Sequence, residues 1–176
     1  MRQLKVLLVV FLAFLSLHIC ANETDSLLRE LDMSIRNRPQ YTLKRQEQID
    51  ALQRKLRLSH SDQERYDLYR ELFGKYRSYR MDSALWVANQ RVELAKRMKN
   101  PLYIRSAELN IAEVMIGVAM YKEGLEILDE IKSADLDDSG VSYYYYQYHQ
   151  VYTLMADYAF SDQMKEHYRG LAYQYK

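Results

Sequence analysis

Few side chains in this sequence of 176 residues could perform catalysis. It contains four histidines, and no two of them have the spacing of a zinc-binding helix motif. His149 and Asp157 are eight residues apart, about two helical turns, so they could share one helix face. Solvation, or a hydrogen bond to a neighbouring helix, explains both without any reaction. Since glycine-rich phosphate loops and Gly-x-Ser-x-Gly elbows are also absent, the sequence predicts no enzyme, no metal site and no cofactor.

The composition favours helices and gives no sign of nucleic-acid binding. The chain has 25 lysines and arginines against 24 acidic residues, so it lacks the basic excess of a nucleic-acid interface. With only five glycines and two prolines, a turn-rich β architecture is disfavoured. The 17 tyrosines suit helix–helix contacts, in which the ring packs and the hydroxyl stays in water. We expect one all-α domain after any targeting segment.

Residues 1–21 have the pattern of an export signal. Arg2 and Lys5 precede an apolar run of ten residues, at positions 6–15. Because such a run is too short to span a bilayer comfortably, a cleaved signal peptide is favoured over a membrane anchor. Cleavage after Ala21 fits best, and no second long apolar run follows. The mature chain is therefore expected to be exported to a bacterial periplasm.

A lipid attached to Cys20, the only cysteine, would be a second way to anchor the chain to the membrane. A lipoprotein site would modify this residue, but such sites need a small residue before the cysteine and Ile19 is bulky. Cleavage after Ala21 would instead leave a mature chain without cysteine. Export without disulfides suits a bacterial envelope better than a small secreted scaffold.

Residues 22–60 are predicted to form a leading helical hairpin. Arg38 and Pro39 mark its turn, because the residue before a proline resists the α conformation. On either side of the turn, apolar residues recur at helical spacings of three and four. The two stripes are Leu27, Leu28, Leu31 and Ile35, then Ile49, Leu52 and Leu56.

An internal period of forty residues organises the rest of the chain. Ala84, Gly124 and Met164 occupy equivalent places in three units, at about 61–99, 100–139 and 140–176. Each unit has an apolar or aromatic helical stretch, a polar break and a second amphipathic stretch. A period of this kind indicates stacked helical hairpins, an α-solenoid, and such stacks usually bind other molecules.

Polar residues mark where two of the units begin. Ser61 and Glu64 have the spacing of a capping box, and Asn100 followed by Pro101 is a favoured helix entry. The run of tyrosines at 143–146 opens the third unit. Four consecutive helical residues cannot all face one core, so at least one of these rings must meet solvent or another surface.

The second unit resembles a tetratricopeptide repeat. It departs from that family at Glu108, where a tryptophan is usual, and in its period of forty rather than thirty-four. The resemblance covers about residues 62–176 and implies an array of tetratricopeptide-like hairpins. The matching large and small positions are Ile111, Ala112, Met115, Tyr121, Gly124, Leu128 and Ile131.

A narrower resemblance is to the exported N-terminal part of membrane-tethered helical-repeat regulators of the Bacteroidetes. In such proteins a membrane helix, a coiled coil and a cytoplasmic region assigned to DNA binding follow the repeats. The chain is therefore expected to be truncated at its C-terminus, or capped there by another subunit. The residues that carry the resemblance are Leu31, Asp32, Ile35, Arg38, Tyr41, Lys44, Ile49, Asp50, Leu52 and Leu56.

The tetratricopeptide resemblance implies a groove lined by the first helix of each hairpin. An extended peptide or another protein's helix would fit its rings and polar groups, sugar rings could equally stack there, and the leading hairpin could instead fill it. Matching positions from the first unit are Tyr66, Tyr69, Phe73, Tyr76 and Arg77. Those from the other units are Ser106, Leu109, Glu113, Ile116, Tyr146, His149, Thr153 and Asp157.

The function expected from these patterns is binding without catalysis. The chain is interpreted as a periplasmic protein-interaction or sensing module, the N-terminal part of a membrane-tethered transcriptional regulator. The alternative is an envelope scaffold or assembly factor without signalling. A protein or peptide partner is expected, with no nucleic-acid contact in this segment and self-association left open. The membrane would be met only through a missing C-terminal span or a lipid on Cys20.

Overall fold

Every regular element in the described part of the chain is helical. The computed structural model describes the backbone of residues 2–176 and the side chains of residues 24–176. Besides the α-helices there is one short 3-10 turn, Ser133–Asp135, in the described residues. The absence of strands from these residues confirms the all-α prediction. The helices are α1 (Arg2–Leu58), α2 (Asp62–Tyr76), α3 (Met81–Arg97), α4 (Pro101–Gly117), α5 (Tyr121–Asp129), α6 (Asp138–Asp157) and α7 (Asp162–Gln174).

The predicted signal peptide at 1–21, including Cys20, lies outside the residues whose side chains are described, so export and lipidation stay predictions. Among the residues that are described, no helix is both long enough and apolar enough to cross a bilayer.

The predicted turn at Arg38 and Pro39 is absent, because α1 continues through Pro39 as one helix. A turn here would avoid the cost of an interior proline, about 3 kcal/mol, but a stable hairpin also needs its two apolar stripes to pack on each other. The second stripe has another partner. Ile49 and Leu52 are buried in a cluster with residues of α2 and α3. The first stripe stays more than half exposed, as Leu27 and Ile35 show.

The chain divides into two compact units, residues 1–48 and 49–176. In the second unit, helices that follow one another pack in pairs: α2 on α3, α4 on α5 and α6 on α7. Contacts of α3 with α4, and of α4 and α5 with α6, join one pair to the next. This arrangement is the stack of helical hairpins that the forty-residue period predicts.

Polar caps fix where the first helices start. Ser61 Oγ accepts a hydrogen bond from the Glu64 amide at 3.4 Å, and Asn100 Oδ1 accepts one from the Tyr103 amide at 3.2 Å. Glu64 does not complete a reciprocal box with Ser61. Its carboxylate instead accepts from the Ser59 hydroxyl at 2.7 Å. These caps set the register of α2 and α4, and therefore decide which of their side chains face one another.

Small residues let the two helices of a pair approach closely. Ala84 is fully buried, and Gly124 is buried where α5 crosses α4. A Cβ at Gly124 would lie 2.7 Å from Ile116 Cγ1, so a side chain there would push the helices apart. Met164, the third marker of the period, is instead exposed. Met164 therefore does not lie between the two helices of the third pair, although α6 and α7 do pack on each other.

Candidate functional site

A cleft of about 370 Å³ opens along the first helices of the three pairs. We call it the α2–α4–α6 cleft. Residues of α4, including Tyr103 and Ser106, form one wall, and the start of α6 closes it with Tyr143. From α2 and its C-cap residue Arg77, the lining residues are Tyr66, Asp67, Arg70, Phe73, Gly74 and Arg77.

Arg91 of α3 lines the cleft although only 1% of its surface is exposed. Its guanidinium donates to Asn110 Oδ1 and, at 2.7 Å, to the Tyr66 hydroxyl. It also lies over the Tyr66 ring, with Cζ 4.4 Å from the centroid. Nε has no hydrogen-bond partner among the described residues. Burial lowers the pKa of Arg91.

Tyr66 contributes both its ring and its hydroxyl to this network. Its ring stacks on Tyr103 with centroids 4.5 Å apart and planes within 8°. Its hydroxyl donates to the Tyr103 carbonyl at 2.9 Å while accepting from Arg91. Burial raises the pKa of Tyr66, so the hydroxyl stays protonated and keeps donating. The ring therefore joins α2, α3 and α4 at the base of the cleft.

A second network connects the three first helices. Arg77, the C-cap of α2, pairs with Glu113 of α4 at 3.0 Å, and the Tyr143 hydroxyl of α6 donates to the same carboxylate. Asn110 Nδ2 donates to the Tyr143 hydroxyl at 3.5 Å. Arg77 is about half exposed, so its ion pair contributes at most about 1 kcal/mol. The Glu113 carboxylate therefore links the helix pairs on either side of its own pair.

One comparison with known proteins settles the family. Residues 35–176 match the family model described as the SusR N-terminal TPR domain. The chain belongs to the SusR N-terminal TPR family. No curated protein and no solved structure matches it. Tetratricopeptide domains in general mediate protein–protein interaction and are generally non-catalytic.

The rings that the sequence assigns to the groove lie mostly in the core of this SusR-type domain. Tyr66, Phe73 and Arg77 line the cleft, but both rings are almost fully buried. Tyr69 packs edge-on against Trp86 of α3, with centroids 5.7 Å apart. Tyr76 accepts a hydrogen bond from Gln53 of α1 at 3.1 Å. These rings therefore hold the first pair together and form no open stacking platform.

The predicted groove residues of the second unit divide in the same way. Leu109 and Ser106 line the cleft, although Leu109 is buried in the cluster shared by the second and third pairs. Ile116 belongs to that cluster too. Glu113 lies beside the cleft, bonded to Arg77 and Tyr143.

The predicted groove residues of the third unit lie beyond the cleft. Only the start of α6 reaches it, so side chains further along this helix of the SusR-type domain face elsewhere. His149 Nδ1 lies 2.9 Å from the Ala172 carbonyl of α7, and the Thr153 hydroxyl donates to the His149 carbonyl at 2.7 Å. Tyr146 and Asp157 are exposed. Across side chains 24–176, no cluster of His, Cys, Asp or Glu could hold a metal ion.

Sequence reasoning missed Arg91, although a signal was present. Ala84, Ala88 and Ala95 form a buried stripe on α3, and Arg91 falls at the same helical spacing. An arginine within a stripe of small residues must find polar partners inside the protein. Tyr66 and Asn110 come from the two neighbouring helices, so the sequence alone could not supply them.

A second cavity, of about 480 Å³, lies between the end of α1, α2 and α3. Leu56, Tyr76 and Val87 line it, with Arg57 and Arg80 among the charged residues. The side-chain atoms that are buried without partners in the described part of the chain are not at this cavity. We therefore take the α2–α4–α6 cleft as the candidate site.

Burial of the Tyr143 hydroxyl is expected to make the domain less stable at alkaline pH. Burial first, and then the Glu113 carboxylate, raise the pKa of Tyr143 above its ordinary value of 10.0. Above about pH 10 the unfolded chain loses this proton while the folded chain retains it. Since the folded state then binds more protons, the free energy of unfolding must fall as the pH rises.

Tyr143→Phe should make that fall shallower, by up to about 1.4 kcal/mol per pH unit. Urea unfolding followed by circular dichroism from about pH 9 to about pH 11 measures the slope. Tyr146→Phe, at an exposed position on the same helix, is the control and should keep the original slope. Equal slopes in the two variants would contradict the burial of the Tyr143 hydroxyl against Glu113.

Proposed function

We propose that this chain is a non-catalytic periplasmic sensing or protein-interaction module, the N-terminal part of a membrane-tethered transcriptional regulator. The observation that carries the proposal is the bonding of Glu113 to both Arg77 and Tyr143 beside the α2–α4–α6 cleft. Membership in a family named for the N-terminal domain of SusR supports the regulator role. The export pattern of residues 1–21 supports the periplasm.

The arrangement suggests how an occupant could be sensed. A molecule entering the cleft touches α2, α4 and the start of α6, which come from all three helix pairs. Wedging α2 away from α4 would strain the Arg77–Glu113 bond and thereby the Tyr143 contact on α6. A ligand shifts the packing only as far as its affinities for the two arrangements differ. The proposed signal is therefore a changed packing of the third pair on the second.

Two experiments test the location and the role. Alkaline phosphatase fused after residue 176 should be active in cells, since this reporter folds only after export. Deleting codons 24–176 in frame from the chromosomal gene should change transcription of a limited set of genes, measured by RNA sequencing. An inactive fusion would contradict export, and an unchanged transcript profile would contradict the regulator role.

The alternative is a scaffold for other envelope proteins, and exposed rings on the third pair favour it. Phe160, where α6 turns into α7, is 97% exposed, and Tyr158 beside it is mostly exposed. Tyr145, Tyr146 and Tyr173 expose rings elsewhere on the same two helices. Aromatic residues are enriched at protein interfaces. For a scaffold, the deletion should leave transcription unchanged, and Phe160→Ser should release a co-purifying envelope protein.

A further inference from the structure

The carboxylates that line the α2–α4–α6 cleft already have partners. Asp67 pairs with Arg70 at 3.3 Å. Asp137 caps α6 by accepting hydrogen bonds from the Gly140 amide at 2.7 Å and the Ser139 hydroxyl at 2.9 Å. None of these carboxylates forms an ion pair with Arg91 in the described part of the chain.

Arg91 is therefore the lining cation that lacks an acidic partner. Its direct contacts are neutral groups, the Asn110 amide oxygen and the Tyr66 hydroxyl and ring. A buried charge is costly unless an opposite charge or a full set of hydrogen bonds compensates it. Arg91 has no ion-pair partner among the described residues, and its hydrogen bonds are incomplete because Nε is unpaired. An anion bound next to Arg91 in the cleft would supply the missing negative charge and a hydrogen-bond acceptor.

We propose that the α2–α4–α6 cleft binds a carboxylate, with Arg91 as its anchor. Arginine recognises carboxylates through two parallel hydrogen bonds, and the buried Nε of Arg91 has no acceptor among the described residues. The ligand is a small organic acid or the C-terminal carboxylate of a peptide, and both fit a cleft of about 370 Å³. The inference rests on the proposed function in taking this cleft as the sensing site, and it adds the chemical class of the ligand.

The unsubstituted protein tests the chemistry directly by isothermal titration calorimetry. The probes are the N-acetyl dipeptides Ac-Ala-Tyr and Ac-Ala-Leu with free carboxylates, the same dipeptides as C-terminal amides, and succinate, benzoate and citrate. At least one carboxylate should bind, and its amide or neutral counterpart should bind roughly tenfold more weakly or not at all. Peptide binding without organic-acid binding identifies a peptide terminus, and the reverse identifies a free acid. Failure of every carboxylate, or equal binding of acids and amides, would overturn the proposal.

A variant assigns the binding to Arg91. Arg91→Gln should abolish carboxylate binding, whereas Arg97→Gln, on the same helix but exposed and paired with Asp62, should keep it. If Arg91→Gln does not fold, the acid–amide comparison on the unsubstituted protein still decides. Unaltered binding in a folded Arg91→Gln protein would overturn the assignment. A failure of the calorimetry test is distinguishable from a failure of the proposed regulator role. The transcript profile of the deletion strain does not depend on which ligand the cleft binds.

Discussion

Replacing Phe73 with alanine is expected to lower the free energy of unfolding by about 3 to 5 kcal/mol. Its side chain is only 4% exposed and belongs to the buried cluster shared by α1, α2 and α3, which includes Leu72 and Ile49. Truncation removes apolar contacts and leaves a cavity that helices on several sides cannot fill without moving. Urea unfolding followed by circular dichroism measures the change.

Tyr146→Ala is the control for the Phe73 substitution. Both positions were assigned to the groove from the sequence, but Tyr146 is 55% exposed. Its replacement should therefore change the free energy of unfolding by no more than about 0.5 kcal/mol. A similarly small loss for Phe73→Ala would mean that its ring lies open to solvent, as a groove platform would require.

The stacked hairpins themselves were predictable, because their signals are local. Ser61 and Asn100 start helices through hydrogen bonds to residues three positions later. Ala84 and Gly124 repeat at positions that the structure buries, and at Gly124 a Cβ would lie 2.7 Å from Ile116 Cγ1 of the paired helix. Period, caps and small residues all point to the same fold. The break at Pro39 was not decided locally, because it depended on which partner the stripe of Ile49 and Leu52 would find.

Two of the α2 rings that the sequence assigned to the groove, Tyr66 and Phe73, do line the cleft, but both are almost fully buried. Tyr66, Tyr69, Phe73 and Tyr76 share one helical face, and the structure buries that face. A step of one residue turns the direction of a side chain by about 100°. The next face carries the more open lining of the cleft. It consists of Asp67, Arg70, Gly74 and Arg77.

Apolar periodicity identifies the helix face that is buried, but it does not show which adjacent face lines a cleft. Of the five residues assigned from the first unit by the family resemblance, Tyr66, Phe73 and Arg77 line the cleft, but only Arg77 is exposed there. The partners that shape the site, Arg91 and Tyr143, come from helices separated along the chain. The spacing on α3 marks Arg91 as buried, but the partners of both residues depend on tertiary packing, which the sequence does not show.

Gly74→Trp is expected to block the cleft without damaging the fold. Gly74 lies on the cleft-facing stripe, and a Cβ built there would meet no other heavy atom within 4 Å, apart from the local backbone. Tryptophan is a better helix former than glycine, so α2 should not be weakened. Gly170 of α7 is the matched control, since it is also helical and exposed with open space around its Cβ. Its place outside the cleft lining separates blockage from the effect of an added indole.

The most direct test of the cleft as the sensing site is RNA sequencing of chromosomal Gly74→Trp and Gly170→Trp strains. Circular dichroism of the purified variants first establishes that both are folded. If the cleft receives the signal, Gly74→Trp should reproduce the transcript changes caused by deleting codons 24–176, and Gly170→Trp should match the unsubstituted strain. Identical profiles in the two variant strains would contradict this account.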